Sequence, residues 1–257
     1  MIAFMTVLAL AQENPGTVIR KFADCLERRD YEGVREFAGE GVRTPTKKGF
    51  ETKIDRYEEE LKGHFFQALR KGPTLARLGS RVKRVELGWK YPVQEGLVSI
   101  HFTLNRTEDG WKVGSFHATL EADKEGVGAG ERAKRSPGQV LRSFIQAIEK
   151  KEYEKAWGLF YLVLKKYSAE EIERWIAEEE KGCGGHWLES LKELAALGDG
   201  DKELTEIYLE ADVEVESGKI KVWTKFLKEG REWKIGKLKA IPSLRATKGT
   251  VTGKVGD

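Results

Sequence analysis

The sequence predicts an α+β protein made of two tandem copies of one unit, each with about three helices packed on a curved antiparallel sheet. Two observations lead there. Shifting the chain by 122 residues lays residues 15–120 on residues 137–242 without a gap, and 22 of those 106 positions are identical, roughly three times the chance rate of ~6–7% from ordinary residue usage. Within each copy the apolar period changes from 3.6 to 2 about halfway along, which is the passage from helices to strands.

The first element of each copy is a capped helix. Asn14-Pro15-Gly16 meets Ser136-Pro137-Gly138; Asn and Ser are capping residues, and Pro at the first helical position gives up an N–H that has no helical partner. Ser136 with Gln139 reads as a capping box. Val18, Ile19, Phe22, Cys25 and Leu26 fall on one stripe, matched by Val140, Leu141, Phe144, Ala147 and Ile148, so one face is apolar. A second helix opens at Tyr31 and at Tyr153, each ring pinning a corner after a short turn. The third helical stretch is long and charged, residues 49–71 and 168–197, the latter opened by a capping box from Ser168 to Glu171.

Strands follow. Val82, Val85 and Leu87 match Leu204, Ile207 and Leu209, and Val98, Ile100, Phe102 and Leu104 match Ile220, Val222, Thr224 and Phe226. Gly96 and Gly218 mark the turns before the second strands. Asp109-Gly110 leads into a last strand that begins Trp111-Lys112-Val113-Gly114, echoed by Trp233-Lys234-Ile235-Gly236. Helices on one face of the sheet bury this pattern most economically.

Five segments result. Residues 1–11 are apolar and end Ala9-Leu10-Ala11, which reads as a leader directing export; its alternative is an N-terminal element packed on the first unit. Residues 12–122 form the first unit, 123–135 a glycine-bearing linker, 136–242 the second unit, and 243–257 a disordered tail. No segment is apolar enough over ~20 residues to span a bilayer.

Composition narrows the function classes. Charged residues make up 34% of the chain but balance to a net +3, which gives nucleic acid no footing. Heavy Lys and Glu usage with two Asn and five Gln is the balance of heat-adapted proteins. Cys25 and Cys183 are the only cysteines. They suit no zinc spacing, and read either as two buried thiols or, in an exported protein, as one bridge between the halves. Phosphate loops, dinucleotide fingerprints, nucleophile elbows and metal motifs do not occur in the sequence, and no cofactor is called for. A basic run over residues 70–84 corresponds, at the 122-residue offset, to a mostly acidic one over residues 192–206, which reads as a solvated face or as a charge pair that brings the halves, or two chains, into register.

The order of elements, the proline-started first helix, the Asp30-Tyr31 and Glu152-Tyr153 corners and the Asp109-Gly110-Trp111-Lys112-Val113 strand resemble the nuclear transport factor two-like, or cystatin-like cone, superfamily. Within it they most resemble secreted bacterial accessory domains of uncharacterised function. The resemblance implies a sheet curled around its helices into a cone open at one end. That cone serves relatives as an enzyme site, a ligand site or a shape for protein contact, so the fold alone does not choose among them.

Enzymes of that superfamily set an acid or His against a Tyr or acid donor inside the cone, where burial splits their pKa values. Here the alternating core positions carry no carboxylate and no His. His101 corresponds to Trp223 and His117 to Lys239, so these two read as rim residues. Gly63-His64 is matched by Gly185-His186, followed by Phe65 and Trp187. Gly inside a helix costs ~1 kcal/mol, so this pair is either a ligand-binding mouth where Gly permits close approach or a helix break with a satisfied His. The binding residues to consider are His64, His186, Phe65, Trp187, Tyr31 and Tyr153, and none is assigned to catalysis. The expected function is a non-catalytic exported module that binds a small molecule or a protein partner through the cones or the surface between them. An isomerase, dehydratase or cyclase with a buried acid–base pair and an assembly domain with filled cones are the alternatives. The chain is expected as a monomer with pseudo-dimeric halves or as a homodimer.

Overall fold

A computed structural model describes residues 14–40, 42, 46–72, 78, 81–122, 133–161, 168–195, 204–215 and 218–244. Residues 1–11, most of the linker at 123–135 and the tail beyond 244 lie outside the described residues.

Among the described residues four helices and three strands occur in the same order twice. First come α1 (Pro15–Glu27), α2 (Tyr31–Phe37), α3 (Lys47–Glu60) and α4 (Phe65–Arg70), then β1 (Val82–Val93), β2 (Gly96–Thr107) and β3 (Gly110–Glu121). The second series is α5 (Pro137–Glu149), α6 (Tyr153–Trp157), α7 (Ala169–Gly182), α8 (Trp187–Leu194), β4 (Leu204–Val215), β5 (Gly218–Glu229) and β6 (Glu232–Leu244). No helix among the described residues is long and apolar enough to cross a membrane.

The predicted caps form. Asn14 accepts from Thr17 N–H, and both capping boxes, Ser136 with Gln139 and Ser168 with Glu171, are closed from both sides. The corners after α1 and α5 turn on Arg29 (φ 53) and Lys151 (φ 58), and the amides of Asp30 and Glu152 bond back to the carbonyls of Cys25 and Ala147 at 2.9 and 2.8 Å. This is the hydrogen-bond closure of a helix ending in a left-handed residue.

The third helical stretch is not continuous in either half. It breaks into α3 and α4, and into α7 and α8, at the Gly-His positions. Lys62 and Gly63 have φ of 52 and 80, and Gly184 and Gly185 have φ of 62 and 82, a backbone state that no helix interior accommodates.

The six strands among the described residues form one antiparallel sheet in the order β3-β2-β1-β4-β5-β6. The two halves meet edge to edge, with Val85 opposite Leu209 and Leu87 opposite Ile207 across the β1–β4 seam. Those four side chains are buried and belong to one apolar core that runs through both halves. Half of the two charged runs, at residues 70–84 and 192–206, lies outside the described residues. Arg84 stands opposite Glu210 but pairs with Glu86 of its own strand, while Glu210 pairs with Lys221 of β5.

The Trp-Lys-Val/Ile-Gly motif has a mechanical purpose at every position. Trp111 and Trp233 are buried. Lys112 donates to the Glu36 carbonyl at 2.7 Å and Lys234 to the Gly158 carbonyl at 3.1 Å, tying the last strand to the end of the second helix. Val113 and Ile235 form single parallel bridges with Ala38 and Phe160. Gly114 and Gly236 lie beside bulges, where an added Cβ would fall 2.4 Å from Asn105 Nδ2 or 2.9 Å from Leu227 Cδ1.

Cys25 and Cys183 are both buried free thiols, with no bridge between them. Burial, with Glu179 and Glu180 close by, pushes the Cys183 thiol up to about 11, as expected where the thiolate loses its hydration.

Candidate functional site

The Gly-His positions form a corner between two helices. Gly63 N–H bonds the Glu58 carbonyl at 2.8 Å and Gly185 N–H bonds that of Glu180 at 2.7 Å, closing α3 and α7. A Cβ added to either glycine would meet nothing within 4 Å. The glycines are therefore required by their positive φ, with open space where a side chain would stand.

His64 and His186 occupy the N-cap positions of α4 and α8 without a side-chain capping bond. Their rings pair instead with Glu95 at 3.1 Å and Glu189 at 3.2 Å. The cap comes from the preceding helix. Glu180 accepts from Trp187 N–H at 3.1 Å and Leu188 N–H at 3.0 Å, a carboxylate placed where the dipole of α8 favours it. In the first half Glu58 is bonded by Phe66 N–H, yet burial outweighs that bond and raises its pKa. Glu58 and Glu180 are identical residues at the 122-residue offset, a signal in the sequence that passed unused.

Phe65 and Trp187 are fully buried. Phe65 stacks on Tyr57 at 4.9 Å and packs against Phe66 and Phe116; Trp187 meets Phe144 and Trp175 edge to face. Tyr31 packs on Phe50 at 5.6 Å and Tyr153 donates to Glu173 at 3.1 Å, so each tyrosine engages the third helix of its own half rather than the histidine.

Between sheet and helices the interior is occupied by the protein's own rings. Phe22, Tyr57, Phe65, Trp89, Phe102 and Phe116 fill the first half. Trp89 also donates to the Ala68 carbonyl at 3.2 Å. Among the described residues the buried polar side chains of Asp, Glu, His, Ser, Thr and the like are Ser99, Ser136, Ser190 and Thr224. Tyr57, 2% exposed, gives its hydroxyl to the Phe116 carbonyl, and burial raises its pKa. His101 and His117 are exposed and stand opposite one another on β2 and β3. No group of three potential metal-ligating side chains occurs among the described residues.

A groove of about 280 Å³ lies between α6 and α7, lined by Trp157, Ile172 and Trp175 with Glu171, Arg174 and Glu178. Its walls are fixed by packing. Trp157 stacks on Phe160 at 5.1 Å, Phe160 meets Trp175 edge to face at 6.0 Å, and the Trp175 indole donates to Glu179 at 3.2 Å. Burial raises the Glu179 pKa, partly offset by the Trp175 N–H and by Lys239. At the equivalent positions of the first half stand Arg35 and Lys53, so this aromatic groove belongs to the second half alone. Two tryptophans replacing two cations on a charged helical face is the trace it leaves in the sequence.

No family model and no curated protein matches this sequence. Among solved structures, a cystatin-like protein from Ruminococcus gnavus ATCC 29149 is similar at 11% identity, with 87% of this chain and 88% of that one covered and a TM-score of 0.25. An Ntf2-like protein involved in plasmid conjugation is similar at 10% identity over 89% and 97%, with a TM-score of 0.16. Superpositions this loose add nothing to what the strand order already says.

Proposed function

We propose that this chain is a non-catalytic, exported binding module, built by tandem duplication of a nuclear transport factor two-like cone unit, that takes a small planar ligand in the α6–α7 groove. Duplication is supported by the gapless offset and by the element order repeated from α1–β3 to α5–β6. Export rests on the apolar leader at residues 1–11.

The observation that carries the binding reading is a division of labour among aromatic residues. Inside both halves the rings pack on each other and on the sheet, and the imidazole beside Tyr57, that of His117, meets it edge to face at 6.5 Å from an exposed position on β3. Trp157 and Trp175 are the tryptophans that line an open groove, held rigid by Phe160 and Glu179. Two fixed indoles with a cation and carboxylates at the rim suit a flat ring bearing a polar group, and the volume suits a small one.

Ligand-observed NMR against a library of small planar aromatic acids and amines tests this. Binders are expected to lose their saturation-transfer signal in Trp157→Ala and Trp175→Ala, and to keep it in Lys53→Ala at the equivalent place in the first half. Equal signals from all four proteins would place the ligand elsewhere.

A further inference from the structure

The sheet has two outer edges, β3 and β6, and they are protected unequally. On β6 the backbone of Ala240 is bonded by the Glu179 carboxylate, Pro242 has no N–H to offer, and Lys237 and Lys239 are exposed on the strand. Charge, proline and a covering side chain are the means by which proteins prevent edge-to-edge pairing. The proline and the outward lysines are missing from β3. Tyr57 stands where Glu179 does, and its hydroxyl donates to the Phe116 carbonyl, which leaves the outward amide of Ala118 without a partner among the described residues. Leu120 stands in place of Pro242 and keeps its N–H. Ser115 and His117 stand in place of Lys237 and Lys239.

We propose that the edge of β3 over residues 116–120 pairs with the same edge of a second copy of this chain, antiparallel, across a two-fold axis at Ala118. That register follows from which amides face outward. Near the α2 end, the β3 edge is already closed by the bridge from Ala38 to Val113. Beyond the bulge at Gly114 the equivalent of the bonded Ala240 is Ala118, so residues 116, 118 and 120 face outward, with the Phe116 carbonyl shared with the Tyr57 hydroxyl. Ala118 then faces Ala118 and Phe116 faces Leu120 in each direction, giving about four backbone hydrogen bonds besides the two that share the Phe116 carbonyls with Tyr57. On the open face His117 meets Thr119 and Ser115 meets Glu121, so no like charges are opposed. The β6 edge cannot do the same, because Pro242 interrupts its ladder and its lysines would be gathered at the axis. The β1–β4 seam inside the chain is a junction of the same kind, two antiparallel strand edges joined with apolar residues beneath.

Sedimentation velocity on the full chain, from low to high micromolar concentration, tests the proposal. The parent is expected to sediment as a dimer that dissociates on dilution. His117→Lys with Thr119→Lys, two exposed positions outside the core, sets lysine against lysine across the axis twice and should raise the dissociation constant roughly tenfold or more. Circular dichroism of that variant should match the parent. Ile241→Lys, on the exposed surface of β6, should leave the dimer intact. A parent that stays monomeric throughout, a double variant that dimerises as tightly, or a dimer lost equally in Ile241→Lys each overturns the assignment.

Discussion

Glu180 holds the first turn of the helix that Trp187 opens, its two carboxylate oxygens taking the amides of Trp187 and Leu188. The residue at the N-cap, His186, contributes no side-chain bond, so the orphan donors of α8 are satisfied from seven residues away. Replacing Glu180 with Ala removes both bonds and is expected to cost about 1–2 kcal/mol, as other caps do. Gln at this position retains one acceptor and should lose about half as much. His186→Ala loses only a pair with the exposed Glu189 and should stay within about 0.5 kcal/mol of the parent. Urea denaturation ranks the three; a larger loss from His186→Ala would mean that the histidine, not the glutamate, secures the corner.

The glycine of that corner makes a separate prediction. Gly185 sits at φ 82 with open space where a Cβ would go, so Gly185→Ala pays only for backbone strain, about 1–2 kcal/mol. Asn tolerates the left-handed region better than Ala, and Gly185→Asn should recover part of the loss. If packing rather than dihedral angle governs this position, Asn, being larger, will be worse than Ala, and thermal melts of the two variants distinguish the cases.

What could be read beforehand followed the range of the interaction. Asn14, Ser136 with Gln139, and Ser168 with Glu171 act within one turn, and they appear where the sequence placed them. The alternation of Val82, Val85 and Leu87 announced a strand with one buried face but said nothing of its neighbour, because period alone carries no information about which edge meets which; the seam with β4 was therefore invisible. Counting apolar spacing over residues 49–71 ran through Lys62 and Gly63, since a positive φ does not disturb the pattern of side chains on either side. Glu58 and Glu180 were hidden among many exposed glutamates, and their role depends on a fold-back that spacing does not express. The α6–α7 groove escaped for a different reason. Comparing the halves for what they share directs attention to caps, corners and strand anchors, whereas Trp157 and Trp175 stand where the halves differ.

Tyr208 offers a readout of the seam itself. It lies opposite Glu86 across the β1–β4 pairing, its hydroxyl donates to Glu210 at 3.4 Å, and burial followed by Glu210 and Glu86 pushes its pKa up to about 12 against the opposing influence of Arg84. In the unfolded chain the same phenol titrates near 10. Between those values the folded protein keeps a proton that the unfolded chain has released, so stability is level below about pH 10 and falls as pH rises toward 12. Tyr57, Tyr153 and Cys183 are raised as well and add decline of the same sign, but they persist in Tyr208→Phe. The difference between parent and variant, measured by urea unfolding from pH 9 to 11.5, should therefore isolate Tyr208, with the parent losing up to roughly 2 kcal/mol more once solvent screening is allowed for. Glu86 comes from one half and Glu210 from the other. Glu86→Gln should accordingly reduce the alkaline loss without touching the second half's own residues, and parallel profiles for parent, Tyr208→Phe and Glu86→Gln would mean that β1 does not lie beside β4 in solution.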